Sequence, residues 1–199
     1  MFFAPTIVNL RNLGIKIHLL CLSDGGYDSD ARERHEELLA ASSLLDISVI
    51  SLPMQQQFED HPKLEWPASM NELIMEQVQK LHIDAIISFD EYGVSGHLNH
   101  VSISRALYLG KAVYEANNCV IYQLISTNVL LKYVPYLPHL FVLTRSLFDQ
   151  TAIIAHLPLH DICFIPQRAM LLHKSQLLWF RYLYIIFSNY MRINYLVKV

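Results

Sequence analysis

Residues 83–100 read IDAIISFDEYGVSGHLNH, and this stretch decides the fold that we expect. An apolar run, Ile83–Phe89, is followed by a polar loop and then by a helical stretch that begins near Val101. A short, continuous apolar run bounded by turn residues is typical of a strand buried in a parallel sheet. Ligand sites in such sheets lie beyond the carboxyl ends of the strands, so the loop Asp90–Asn99 stands where chemistry is expected.

Strand-like and helix-like segments alternate on both sides of this stretch. The patterns predict strands at Ile15–Ser23, Val49–Leu52, Val120–Ser126 and Leu140–Thr144, and helices at Asp30–Leu45, Met70–Leu81, Val101–Ala116, 145–155 and 167–187. This order favours an α/β fold in which helices cover both faces of a parallel sheet. Because we find no internal repeat and no linker rich in Gly or Ser, residues 1–199 predict a single domain.

The composition indicates a heavily buried sheet or a lipid-facing surface. Hydrophobic residues make up 53% of the chain and charged residues 17%, against a usual charged share of about 25%. The best apolar stretch, Leu177–Phe187, is interrupted by Arg181 and falls short of the roughly 20 residues that a span requires, so we predict no transmembrane helix. Cys21, Cys119 and Cys163 lack metal or redox spacing and predict buried thiols in a reducing compartment.

The C-terminal segment, residues 162–199, is basic and aromatic. It contains no acidic residue, and its cations are Arg168, Lys174, Arg181, Arg192 and Lys198. Its aromatic residues are Phe164, Trp179, Phe180, Tyr182, Tyr184, Phe187, Tyr190 and Tyr195. This combination suits a membrane interface, where aromatic rings lie at headgroup depth and cations meet anionic lipid. A buried terminal helix is the alternative.

His97 and His100 are the candidate metal residues. They lie three residues apart at the start of a helix, so both imidazoles can reach one centre. A catalytic zinc usually takes three protein ligands, so two His are not enough. A helix-capping or surface pair is the alternative to a metal site. Asp90 either orients a ligating imidazole or caps the loop.

The string DEYGVSGHLNH, residues 90–100, resembles the second signature of the PIG-L/LmbE-like de-N-acetylase family. MFFAPT, LCLSDGGYDSDARERHEEL, STNVLLKY and HKSQLLWFRYLYIIFSNYMRIN resemble its animal glycolipid members, so the resemblance covers nearly the whole chain. It implies a Rossmann-type fold, one zinc ion and hydrolysis of the acetamide of N-acetylglucosaminyl-phosphatidylinositol in GPI-anchor biosynthesis. It also implies the cytoplasmic face of the endoplasmic reticulum membrane, with the glycolipid and the membrane surface as partners and no nucleic acid.

The resemblance also implies roles for individual residues. His100 corresponds to a zinc ligand, and His97 to the residue that stabilises the oxyanion or the departing amine. Arg34 and Glu37 match the RxxE pattern of the first helix, and Arg34 is expected to contact phosphate or sugar oxygens of the substrate. A solvated i,i+3 pair is the alternative for these two residues. His173, in the HKSQ string, is expected to line the substrate cleft.

The family's first motif, a His-Pro-Asp-Asp-Glu string at the end of the first strand, is not in this sequence. In the family it supplies a His ligand, an Asp ligand and the general base, and His61-Pro62 is no substitute because Lys63 and Leu64 follow it. We therefore expect an incomplete zinc site, a sheet without its first strand and no catalysis by this chain alone.

Two other classes of function remain as alternatives. The first is a non-catalytic member that binds an amino-sugar lipid or a protein through Arg34, His97 and the aromatic tail. The second is a nucleotide-binding domain. The turn Asp24-Gly25-Gly26 argues against it, because this turn lacks the GxGxxG spacing that lets the backbone approach a pyrophosphate.

Overall fold

Most of the apolar runs become strands and most of the helical patterns become helices. The computed structural model of the protein describes residues 2–27, 30–51, 58–134, 152–157 and 164–199. The described strands are β1 (His18–Cys21), β2 (Ser48–Ser51), β3 (Ala85–Phe89), β4 (Val120–Leu124), β5 (Ala152–His156) and β6 (Ile193–Lys198). The described helices are α1 (Ala4–Asn12), α2 (Ala31–Leu45), α3 (Met70–Leu81), α4 (Gly93–Gly96), α5 (Leu98–Leu109), α6 (Lys111–Ala116), α7 (Val129–Tyr133), α8 (Ile165–Leu171) and α9 (Trp179–Phe187), with 3₁₀ turns at Lys174–Gln176 and Asn189–Met191.

The strands form two sheets. β1 and β2 pair in parallel, and β3 and β4 pair in parallel in a sheet of order β3-β4-β6-β5. Parallel strands need long crossovers, which here contain α2 in the first sheet, and α5 and α6 in the second. β6 runs antiparallel to β4, with Leu196 opposite Leu124, so the expectation of a wholly parallel sheet is corrected. The mixed α/β class itself is confirmed.

Contacts group the described residues into two compact units. Unit 1 contains those within Met1–Asp60, Asn128–Phe148 and Ile154–Asn194, and unit 2 contains those within His61–Thr127, Asp149–Ile153 and Tyr195–Val199. A compact unit is a cluster of contacts and not a separately folding domain. The single domain over residues 1–199 therefore stays a prediction.

Unit 1 has a core built between helices. Apolar side chains of α1, α2 and α8 form one buried cluster that includes Val8, Ala41 and Ala169. α1 is also held by Asn194, whose Oδ1 accepts hydrogen bonds from the backbone N–H (3.1 Å) and the hydroxyl (2.7 Å) of Thr6. α2 begins after Asp30, whose carboxylate caps the backbone N–H of Arg32 at 2.9 Å, as expected of an N-cap Asp.

Unit 2 packs helices against β3 and β4. The buried Met70, Ile74 and Val78 of α3 follow a four-residue spacing and form one face of the helix. Leu107 of α5 and Tyr114 of α6 are also buried. This core positions the segment after β3.

Several predicted elements differ from the observed ones. The helix predicted over 145–155 is wrong for its described part, because Ala152–His156 form β5, where Ile153 and Ile154 are β-branched residues that favour strands. The helix predicted over 167–187 is instead α8 and α9, separated by a 3₁₀ turn. The predicted strand 140–144 lies outside the described residues, and α1, α7 and β6 were not predicted.

The cysteine prediction is confirmed in part. Cys119 is fully buried. Cys21 is partly buried, and burial raises the pKa of its thiol to about 11. Cys163 lies outside the described residues.

Among the described residues, none of the helices is both long enough and apolar enough to cross a bilayer.

Candidate functional site

Two neighbouring parallel strands of unit 2 deliver the first cluster of site residues. Phe89 ends β3 opposite Leu124, which ends β4. Asp90 follows the first strand directly, and Ser126 follows the second by two residues. The cluster therefore stands at the carboxyl edge of the sheet, where sites in α/β folds are found.

The buried carboxylate of Asp90 organises the loop. Its Oδ1 accepts hydrogen bonds from the backbone N–H groups of Tyr92 and Gly93, both at 3.1 Å. Its Oδ2 accepts from the backbone N–H of Ser126 at 2.6 Å, and the Ser126 hydroxyl donates to Oδ1 at 2.5 Å. Asp90 thus caps the turn and ties it to the end of β4. Its predicted role in orienting an imidazole stays a prediction.

The backbone of this loop is unusual at two adjacent residues. The buried Val94 has a φ of 64°, which is rare for a β-branched residue, and its N–H donates to the Ser126 hydroxyl at 2.8 Å. Gly93 has a φ of 58°, and a Cβ added there would lie 3.0 Å from Cβ of His100. Glycine therefore permits the close approach of the loop to His100. Strained backbone of this kind is enriched at functional sites.

His100 is held in a definite tautomer. Its Nδ1 lies 3.1 Å from the carbonyl oxygen of Gly93. A carbonyl oxygen only accepts, so Nδ1 carries the proton, and in the neutral ring Nε2 keeps its lone pair. Metal-binding His residues commonly donate their other ring N–H in this way. The ring also stacks on Phe89, with centroids 3.8 Å apart and an interplanar angle of 11°.

His97 and His100 come together, as their spacing predicts. The two rings stack with centroids 4.7 Å apart and an interplanar angle of 26°. His97 is the extended residue directly before α5, and its carbonyl accepts the N–H of Val101 at 3.1 Å. Both imidazoles therefore lie at the amino end of a 12-residue helix.

Asn99, between the two His, has a structural role. It is buried, its Oδ1 accepts the backbone N–H of His61 at 3.1 Å, and its Nδ2 donates to the carbonyl of Leu64 at 3.1 Å. The His61-Pro62 segment is thus bound to the start of α5 through its backbone.

The described residues do not gather a complete zinc site. Across 2–27, 30–51, 58–134, 152–157 and 164–199, no group of three or more His, Cys, Asp or Glu side chains is placed to hold a metal ion. Imidazole is a suitable zinc ligand, so His100 fits one coordination position, but a catalytic zinc normally needs three protein ligands.

A second cluster lies in unit 1, on α2. Nη1 of Arg34 donates to Asp60 at 2.8 Å and to the carbonyl of Gly25. The Arg34 side chain is only 17% exposed. The alternative of a solvated Arg34–Glu37 pair is therefore wrong, because each of these side chains is drawn inward by a different partner.

The partner of Glu37 is Ser175, in the HKSQ string. The buried carboxylate accepts the backbone N–H and the hydroxyl of Ser175, both at 2.7 Å. His173 stands two residues earlier. Burial lowers the pKa of its imidazole, the charge of Arg34 lowers it further, and the charge of Glu37 opposes this shift. The structure thus brings Arg34, Glu37 and His173 into one neighbourhood.

Sequence reasoning missed three of these polar partners. Ser126 ends the predicted strand Val120–Ser126 and stands in the STNVLLKY string, and Ser175 stands in HKSQ, so the sequence offered a signal for both. Asp60 lies in a Pro-rich loop without periodicity, and nothing in the sequence linked it to Arg34.

A cavity in unit 2 contains none of the predicted site residues. It lies at the amino end of β4 and is lined by Lys111, Glu115, Asn118, Cys119, Val120, Ile121, Lys198 and Val199. The candidate site is at the opposite, carboxyl end of the same strand.

Sequence comparison connects the chain with known proteins. Residues 1–109 match the PIG-L family, described as GlcNAc-PI de-N-acetylase. The N-acetylglucosaminyl-phosphatidylinositol de-N-acetylase of Bos taurus is 39% identical over 208 aligned residues, which cover 98% of this chain and 76% of that protein. A probable enzyme of the same name from Schizosaccharomyces pombe is 34% identical, covering 100% of this chain and 81% of the relative.

Solved structures show the same fold. A deacetylase from the teicoplanin biosynthesis pathway superposes with a TM-score of 0.65 at 8% identity, covering 99% of this chain and 93% of that one. The N,N'-diacetylchitobiose deacetylase of Pyrococcus horikoshii superposes with a TM-score of 0.62 at 15% identity, covering 93% and 71%. At these identities the likeness establishes the fold, which is that of LmbE-like deacetylases.

Proposed function

Because the chain belongs to the GlcNAc-PI de-N-acetylase family, we propose that its site acts on the acetamide of N-acetylglucosaminyl-phosphatidylinositol, with His100 as one ligand of a zinc ion. By family the chain is a deacetylase. In the proposed reaction the oxygen of water bonds to the acetyl carbon, the carbon–nitrogen bond breaks, and the nitrogen leaves as an amine while acetate is released.

The hydrogen bond between Nδ1 of His100 and the carbonyl of Gly93 carries this proposal. It leaves Nε2 as the only ring nitrogen with a lone pair. The loop that carries Gly93 is fixed by Asp90 and Ser126. The protein thus supplies an imidazole with one defined donor atom at the edge of the sheet where substrates bind.

Zinc would supply two things at such a site, a lowered pKa of bound water and polarisation of the amide carbonyl. We propose that His100 holds it and that the remaining ligands come from outside the described cluster. Among the described residues no further ligand group joins the two imidazoles.

His97 is the second proposed participant. Its ring lies against that of His100, at the amino end of α5. The amino end of a helix favours negative charge. A ring N–H of His97 is therefore proposed to donate to the carbonyl oxygen as negative charge develops there, or to pass a proton to the departing amine.

Arg34 and His173 are proposed to bind the substrate. Arg34 uses Nη1 for Asp60 and Gly25, whereas its Nε is buried and has no hydrogen-bond partner among the described residues. A guanidinium held in place by one edge suits recognition of a phosphate oxygen. Glu37 fixes the backbone next to His173 and so sets where that ring lies.

The metal proposal is tested by one matched pair of variants. His100→Asn removes an imidazole from the cluster, and His82→Asn removes one from the end of α3, where the left-handed backbone accepts Asn. In a version of the chain that carries an upstream His-Pro-Asp-Asp-Glu string, we expect His100→Asn alone to lower the zinc content and the acetate released from the glycolipid. Equal effects of the two variants would remove His100 from the site.

We also propose that this chain, with two clustered imidazoles, releases no acetate by itself. The measurement compares zinc content and acetate release of the 199-residue chain with those of a version that carries an upstream His-Pro-Asp-Asp-Glu string. We expect both to rise in the second protein. Failure of the extended protein to retain zinc or release acetate would contradict the zinc-site proposal.

Binding without catalysis is the second candidate function, and the absence of a three-ligand group among the described residues favours it. In that case the glycolipid would bind through Arg34 and no zinc would be found. Arg34→Gln would then weaken glycolipid binding, whereas Arg32→Gln, an exposed Arg two residues earlier, would not. Zinc analysis separates the two candidates.

We further propose the cytoplasmic face of the endoplasmic reticulum membrane as the location, since the proposed substrate is a membrane glycolipid. Cell fractionation followed by protease treatment of intact vesicles tests this. Protection of the chain from protease would contradict the cytoplasmic face.

A further inference from the structure

We propose that the exposed apolar face of α9 docks on the surface of a lipid bilayer that contains anionic lipid. This inference deepens the proposed function, because it assigns the contact with the membrane in which the glycolipid lies to one helix of unit 1. It rests on that function only for the choice of a lipid surface over a protein.

α9 presents its apolar side chains outward. Those that are exposed are Trp179, Phe180, Tyr182, Leu183, Ile186 and Phe187. Their three and four residue spacing makes one continuous stripe along the helix. Helices on the surface of soluble proteins usually turn such a stripe toward the core. The outward stripe therefore marks an interaction surface.

The inward side of α9 packs within unit 1. Tyr184 and Ile185 are buried, and the ring of Tyr184 meets that of Phe2 edge to face at 6.0 Å. Nζ of Lys132 lies 5.1 Å from the centroid of the Tyr184 ring, within cation–π range. The orientation of the helix is thus set by its buried side, and the apolar stripe is left to face outward.

The segment that follows α9 fixes the same orientation. Nδ2 of Asn189 donates to the carbonyl oxygens of Leu131 (2.6 Å) and Val134 (3.0 Å) in and after α7. These bonds join the carboxyl end of α9 to the element that carries Lys132. Rotation of the stripe toward the interior would break them.

The charge of the segment that carries the stripe favours an anionic occupant. Residues 162–199 contain no acidic side chain, and Arg168 and Lys174 on the same unit are exposed. Anionic lipid headgroups attract such cations. Trp and Tyr side chains favour the headgroup region, where the ring is apolar and its edge is polar.

The length of α9 defines how it would dock. With nine residues it is about 14 Å long, which is too short to cross the roughly 30 Å hydrocarbon core. It would therefore lie in the plane of the interface. A face of this length and about 10 Å width also has an area well below the roughly 800 Å² that each partner buries in a stable protein dimer.

The test measures binding of the purified full chain to vesicles of phosphatidylcholine, with and without phosphatidylserine, by co-sedimentation. We expect binding that is stronger with phosphatidylserine. The chain has two Trp residues, and Trp66 is buried, so a blue shift of the emission on addition of vesicles would report on Trp179.

Two double variants separate the stripe from general surface hydrophobicity. Trp179→Ser/Ile186→Ser removes two apolar groups from the stripe, and Tyr108→Ser/Leu109→Ser removes two comparably exposed ones from α5. We expect the first variant to reduce the vesicle partition coefficient by about tenfold or more and the second to leave it unchanged. Equal effects, or none, would overturn the proposal.

A second pair tests the charges. Arg168→Gln/Lys174→Gln should remove the preference for phosphatidylserine, whereas Lys16→Gln/Arg32→Gln, which removes the same charge from other exposed positions, should retain it. Retention of the preference in both variants would overturn the anionic part of the proposal.

The oligomeric state gives the final outcome. Should the wild-type chain sediment as a dimer and Trp179→Ser/Ile186→Ser as a monomer, the stripe is a protein interface and the lipid proposal fails. Absence of vesicle binding, together with zinc-dependent acetate release in detergent by the version that carries the upstream His-Pro-Asp-Asp-Glu string, would reject the docking surface and leave the proposed function standing.

Discussion

The carboxylate of Glu37 holds both the backbone N–H and the hydroxyl of Ser175 at 2.7 Å, across 138 residues of sequence. This contact joins α2 to the 3₁₀ turn after His173. It unites two strings that the sequence singles out separately, the RxxE pattern and HKSQ. Glu37 therefore fixes the backbone beside His173, the proposed substrate-binding residue.

Glu37→Gln is expected to lower the free energy of unfolding by about 1–3 kcal/mol, because the amide nitrogen of Gln turns a donor toward one of the two donors of Ser175. Urea unfolding measures this change. Glu36→Gln is the matched control, since Glu36 is exposed and its ion pair with Arg32 is a surface pair. A loss as large in Glu36→Gln would show that the Ser175 contact is not the cause.

His173 is expected to make stability depend on pH. Because burial lowers the pKa of its imidazole, the unfolded chain binds more protons than the folded one between the folded pKa and the unfolded value of about 6.5. Stability contributed by the neutral ring is therefore complete above the unfolded pKa and is lost as the pH falls through the folded one.

The measurement is urea unfolding between about pH 8 and about pH 5, with His173→Gln and His82→Asn compared. In His173→Gln the free energy of unfolding should fall less as the pH is lowered. In His82→Asn it should fall as much as in the wild-type chain. An unchanged profile in His173→Gln would contradict the assignment of this pH dependence to His173.

Asp90→Asn is expected to destabilise the fold by about 1–3 kcal/mol. The amide oxygen of Asn can still accept the hydrogen bonds of one carboxylate oxygen. Its NH₂ group, however, would face the N–H or the hydroxyl of Ser126, both of which donate to Asp90. Amide hydrogen exchange at Ser126 and urea unfolding measure the change. Asp84→Asn, at an exposed position before β3, should have little effect, and equal losses would contradict this account.

Gly93→Ala and Gly96→Ala separate backbone strain from the contact with His100. Both glycines have positive φ, 58° and 73°, which costs an L-residue about 1–2 kcal/mol. At Gly93 the new Cβ would also meet Cβ of His100 at 3.0 Å, whereas at Gly96 nothing lies within 4 Å. We expect a larger loss of unfolding free energy in Gly93→Ala. Equal losses would show that His100 is not held by this approach.

Local patterns predicted the elements that position the site. β3 and α3 are within two residues of their predicted bounds, since a buried apolar run and a regular helical spacing are strong local signals. The pairing of His97 with His100 also follows from helical spacing alone. The α/β class follows from the alternation of these elements.

Long-range contacts escaped prediction. In β6 the buried polar Asn194 interrupts the apolar residues, so the sequence showed no strand pattern there. The antiparallel pairing of β6 with β4 depends on tertiary packing. α1 depends on Asn194 for a contact across 188 residues. The Arg34–Asp60 ion pair likewise joins a helix to a loop without any local signature.

The contacts that hold the His100 ring have a consequence for how the site would assemble. The protein itself supplies these contacts, which are the Gly93 carbonyl, the Phe89 ring and the turn capped by Asp90. The imidazole is therefore oriented before any ion or acetamide binds. Little conformational entropy is then lost on association. The affinity of the site would accordingly be governed by the number of additional ligands and not by the ordering of this side chain.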